Sequence, residues 1–141
     1  MRSVLFLAVA LALLSGRADA QVPIIGTGAS IHGIVPVVSP SAASSLVIKA
    51  AGGNFYGAYA VNLTATAGFL VVLNATSAPA DGAITPLDCA PLPANGSASI
   101  NYGSGPAALY RTGITAVVTS AASCFQKTTG VITAFISGQM K

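Results

Sequence analysis

The chain has 141 residues, and only 6% of them are charged, against roughly 25% in an ordinary soluble domain. Its net charge of +3 comes from six Lys or Arg and three Asp, with no Glu, and the cations are scattered along the sequence. Nucleic-acid phosphates need several cations on one face, so no nucleic-acid partner is expected, and so bare an ionisable inventory suits a free cytosolic enzyme poorly.

Met1-Arg2-Ser3 is a short positive region, Val4–Leu14 an unbroken apolar run, and Ala18-Asp19-Ala20 a small-x-small cleavage site. This is the pattern of a signal peptide over residues 1–20, and it implies export to the periplasm or the extracellular space. The apolar run is too short to span a bilayer, which takes about 20 residues. No membrane span is expected elsewhere. Beyond it, Lys49, Arg111, Lys127 and Lys141 stand against Asp81 and Asp88.

Residues 21–45 are rich in Gly, Pro, Ser and Ala. Pro23, Pro36 and Pro40 argue against a helix or a central strand, so the segment reads as an extended arm or linker. A packed domain is expected over residues 46–141. Phe55, Tyr59, Val61, Leu63 and Ala65 share one face at a two-residue period, and Tyr56, Asn62, Thr64 and Thr66 share the other. That alternation predicts a half-buried strand with Phe55 and Tyr59 in the core and Tyr56 available to a partner. Ala67-Gly68 breaks the run. Phe69–Asn74 then predicts a more buried strand, paired with the first as a hairpin.

Asp81-Gly82 and Asn95-Gly96 are turn dipeptides, because their residues tolerate positive φ. Pro86, Pro91 and Pro93 permit only short or edge strands around Cys89, and further strands are expected at Ala98–Tyr102, Ile114–Thr119 and Val131–Ile136. No 3.6-residue apolar stripe marks a helix. The expectation is all-β: one antiparallel β-sandwich, immunoglobulin-like or jelly-roll-like. Cys89 and Cys124 invite a structural disulfide in an oxidising compartment, worth about 3.5–4 kcal/mol by chain entropy; two buried free thiols are the alternative.

The residues offer little chemistry. Asp81 reads as a turn residue bonding its own backbone, and Asp88 as the cap of a strand end. His32 lies in the arm, far in sequence from any acid, and no Gly-x-Ser-x-Gly elbow carries a nucleophile. Cys89, Cys124 and His32 lack metal-ligand spacing. Gly26–Gly33 fits neither a dinucleotide fingerprint nor a P-loop. No catalytic residue, cofactor or metal is therefore expected. Asn62-Leu63-Thr64, Asn74-Ala75-Thr76 and Asn95-Gly96-Ser97 match the N-glycosylation pattern, which matters only for a eukaryotic source.

Ala51–Tyr59, Thr66–Leu73, Ala78–Ala83, Thr85–Cys89, Ser123–Thr128 and Thr133–Ser137 resemble small virion-associated proteins encoded by tailed bacteriophages and prophages, along most of the chain from Leu46 to Gly138. Cys89 and Cys124 match the cysteine positions of that pattern. The resemblance implies a structural role and brings no catalytic residues with it. A virion part assembled in the cytoplasm needs no signal peptide, so the chain reads either as a prophage product exported by its host or as a phage protein acting in the envelope. The resulting expectation is a non-catalytic structural or surface-binding protein, associating with protein partners or with itself through β-edges. An exported ligand- or carbohydrate-binding module is the first alternative, against which the absence of Trp counts, and a small secreted hydrolase the second.

Overall fold

The computed structural model describes residues 33–103 and 108–141. The signal segment, the first part of the arm and His32 lie outside the described residues. Among the described residues, eleven strands follow in order: β1 (Val35–Val38), β2 (Ser45–Lys49), β3 (Gly53–Asn62), β4 (Gly68–Leu73), β5 (Gly82–Ala83), β6 (Asp88–Leu92), β7 (Ser97–Asn101), β8 (Ala108–Tyr110), β9 (Ile114–Thr119), β10 (Gln126–Lys127) and β11 (Ala134–Met140). Among the described residues there is no helix, and hence none long and apolar enough to cross a membrane.

Two antiparallel sheets form the sandwich. The first has the order β1-β11-β3-β7, with β8 continuing β7 along the same edge of β3; the second has the order β2-β9-β4-β6. The pairs β1–β11, β2–β9, β3–β7 and β4–β6 nest inside one another, like a single long hairpin rolled across both sheets. The contacts β3–β11 and β4–β9 then close the roll. This is jelly-roll order.

The expected hairpin between β3 and β4 does not form, because the two strands lie in opposite sheets. Asn62 is the physical reason. Its buried amide donates to the carbonyls of Thr66 and Pro93, both at 2.8 Å, and its Oδ1 accepts the Thr64 N–H at 2.9 Å and the Thr64 hydroxyl at 2.8 Å. This knot turns the chain out of one sheet and into the other. Gly68 then passes so close to the Thr119 carbonyl that no Cβ fits.

Part of the segment read as an arm is strand. Val35–Val38 forms an outer edge against β11, where Pro36 is tolerated because an edge strand has no neighbour on its far side. The last strand begins and ends later than expected, at Ala134–Met140, because β1 and β3 pair with it as far as Met140.

The core lies between the sheets. Ile48, Phe55, Ala58, Ala60, Leu70, Val72, Ile100, Ile114, Ala116, Val118 and Ile136 pack there. Small residues bring the sheets close; Gly138 sits directly against Ile48, where a Cβ would collide. The outer face of the second sheet is also buried. Val71, Leu73 and Val117 point away from the main core into a second cluster with Phe69, Ala75, Ile84 and both cysteines. The two-stranded β5–β10 ribbon and its loops supply this cover. Double coverage leaves β9 buried at all six positions.

Candidate functional site

Cys89 on β6 is bonded to Cys124 in the loop before β10, with Cα atoms 6.3 Å apart, and the bridge pins the covering layer to the second sheet. Asp81, at the start of β5, ties the same layer down. Its carboxylate takes the Lys127 ammonium at 2.8 Å and the Thr129 N–H and hydroxyl at 2.9 and 2.8 Å. It thus bonds to residues distant in sequence, where the sequence suggested its own turn. The Lys127 hydrogen bond, aided by those from Thr129, lowers its pKa to about 2.

Asp88 caps the start of β6 by accepting the Cys89 N–H at 2.7 Å. Its other oxygen accepts a short hydrogen bond from the Tyr102 hydroxyl, which joins the edge of one sheet to that of the other. Burial, then this bond, raises the Tyr102 pKa to about 12. Tyr110 is fully buried beside Phe55, edge to face, and its hydroxyl finds no partner among the described residues. Burial pushes its pKa well up.

The described acids and both cysteines are therefore engaged in structural bonds. No group of three His, Cys, Asp or Glu that could hold a metal occurs among the described residues. Asn62 and Asn74 are turn-forming amides; Asn74 Oδ1 accepts the Thr112 N–H at 2.9 Å. Lys49 Nζ donates to the Lys141 carbonyl at 3.3 Å, and Gly52 beside them touches the Arg111 backbone.

Among the described residues, the outer face of the first sheet has no such cover. Its pattern depends on a β-bulge in β3: Phe55 pairs with Met140 while Gly57 pairs with Gln139, so Tyr56 is the extra residue. The bulge reverses the alternation. Phe55 points into the core, but Ala58, Ala60 and Asn62 then take the inward positions, and Gly57, Tyr59 and Val61 face out. The expected assignment is thereby corrected: Tyr56 is buried, and Tyr59 is 44% exposed. An unbroken two-residue period cannot reveal a residue that the ladder skips.

Around Tyr59 lies a groove of about 200 Å³, lined by Gly57, Tyr59, Ser99, Asn101, Ser137 and Gln139. Ser137 and Ser99 flank Tyr59 across the sheet, and Gln139 and Asn101 flank Gly57. Gly57 forms the floor, since a Cβ there would lie 2.6 Å from the Ile100 carbonyl. Phe135, 45% exposed, and Val38, 60% exposed, extend the same face. Among the described residues, no charged side chain lines the groove.

The chain matches no family model, no curated protein and no solved structure.

Proposed function

We propose that the chain is a non-catalytic structural or surface-binding protein, phage- or prophage-derived and virion-associated, that assembles with copies of itself by pairing β7 with β7. The observation that carries this reading is a contrast among the four sheet edges. Proteins blunt edges with proline, bulges and charge. β1 has Pro36, β6 has Pro91, and β2 has a bulge at Ile48 followed by Lys49. β7, Ser97–Asn101, has none of these.

The ladder also sets which of its groups face out. The Asn62 N–H bonds to the Gly96 carbonyl and the Tyr102 N–H to the Tyr56 carbonyl, so in the same register Ala98 and Ile100 bond to β3. Ser97, Ser99 and Asn101 therefore turn their N–H and C=O groups toward the open edge. Antiparallel pairing of two such edges about a two-fold axis fuses two sheets into one. The scarcity of charge keeps the desolvation cost low.

Export belongs to the same reading, supported by the signal-like segment and by a disulfide of the kind that persists in oxidising compartments. Light scattering on the purified protein tests the assembly. A dimer is expected, and Ser99→Pro, which removes an outward N–H and no internal ladder bond, should give a folded monomer. A wild-type monomer at high concentration would sink the proposal. Tail or capsid genes flanking the coding sequence are expected, and their absence would remove its virion half.

A further inference from the structure

We infer that the groove across β7, β3 and β11 is a binding site for one unit of a neutral saccharide. The inference rests on the surface-binding half of the proposed function and is independent of β7 pairing. Four groups surround the Tyr59 ring and the bare Gly57 floor: the hydroxyls of Ser99 and Ser137 and the amides of Asn101 and Gln139. Each can both donate and accept a hydrogen bond. Sugar hydroxyls have the same dual character, and the apolar C–H face of a pyranose ring stacks on an aromatic side chain.

The charge pattern selects among ligands. A phosphate, carboxylate or ammonium ligand would need a counter-charge, and none of the described residues that line the groove supplies one. The size is also selective. Drug-sized ligands occupy pockets of about 300–1,000 Å³, whereas about 200 Å³ suits a single sugar ring. Gln139 and Asn101 stand on either side of β3, two strand spacings or about 10 Å apart, so a ring lying on Gly57 reaches both.

Two features prepare the site before any ligand arrives. The Asn101 Oδ1 accepts the Gly103 N–H at 2.7 Å, which holds the side chain in place and leaves its NH₂ to donate elsewhere. The bulge at Tyr56 sets Gly57 and Tyr59 outward, the re-aiming that bulges commonly perform beside binding sites. Tyrosine here fills the platform role that tryptophan, absent from the chain, plays elsewhere.

Amide chemical-shift mapping on the labelled protein tests the inference, with cellohexaose, maltohexaose, laminarihexaose, mannohexaose and chitohexaose as probes and hexagalacturonate as the anionic control. At least one neutral probe should shift the amides of Gly57, Tyr59, Ser99, Asn101, Ser137 and Gln139, and the control should not. Tyr59→Ala should weaken binding about tenfold or more, and Gln139→Ala several-fold, with native spectra because both side chains are exposed. No groove shift with any neutral probe, or undiminished binding by Tyr59→Ala, overturns the inference. A dimer that binds no probe refutes this inference alone; a monomer that binds refutes only the β7 pairing.

Discussion

Asn62 shows how much one side chain can decide. It is 1% exposed and makes four hydrogen bonds that route the chain between sheets. Asn62→Leu keeps the branching at Cγ but removes all four bonds, leaving the Thr64 N–H without its acceptor and the Thr66 and Pro93 carbonyls with only the longer bonds from the Thr64 hydroxyl and the Gly96 N–H, at a cost of about 2–4 kcal/mol in denaturant unfolding. Asn62→Asp should cost more, since a carboxylate would face the Thr66 and Pro93 carbonyls. Asp81 makes a different kind of prediction. Its folded pKa, about 2, lies below the ordinary value, so the folded protein holds that proton less tightly than the unfolded chain. The stabilisation is present above about pH 4 and disappears as the pH falls toward 2. Melting temperature should drop across that window, and Asp81→Asn should flatten the slope. Tyr102 gives the alkaline counterpart. Its pKa is raised, so its contribution is present below about pH 10, and is lost as the pH climbs toward 12. Tyr102→Phe should make that limb shallower, leaving the share carried by Tyr110, whose pKa burial also raises.

Individual strands were far more legible in the sequence than their partners. Ile114–Thr119 emerges with its expected bounds, and the Asn95-Gly96 turn forms with Asn95 at φ 49°. Both depend only on local composition. The orientation of Tyr56 and Tyr59 was hidden, because a bulge inserts a residue without changing the apolar pattern that surrounds it. The hairpin expectation failed for a related reason: Ala67-Gly68 looks like a break, but whether the chain folds back or crosses over depends on the distant Pro93 carbonyl. The groove was illegible for the same cause, since its lining residues come from three strands far apart in sequence. The β5–β10 ribbon, only two residues per strand, leaves no periodic trace at all. Its attachment can be tested. Replacing both cysteines with Ala should cost about 2–4 kcal/mol, and hydrogen exchange should quicken most in the covering loops near residues 80–87 and 121–128.

At the scale of the molecule, a nested roll is a fold of distant partners. β1 and β11, near opposite ends of the described residues, lie side by side, and β11 then sits inside its sheet against β3. Folding dominated by such non-local pairs falls in the millisecond-to-second range, and stopped-flow refolding should find it there. Removing β11 should abolish the fold, whereas removing the peripheral β1 should leave a destabilised sandwich detectable by circular dichroism. The two outer faces also differ in kind. One is stapled beneath a ribbon by a disulfide and an ion pair; the other, among the described residues, carries no covering layer and an uncharged groove, and is bordered by an edge without proline, bulge or charge. That asymmetry turns a stable roll into a surface with something to offer.

The pairing of β1 with β11 has an architectural consequence. It brings Gly33 against the Lys141 side chain, so the two ends of the described fold emerge together at one pole of the barrel. A cargo joined at residue 33 and another joined at residue 141 would therefore start out as neighbours.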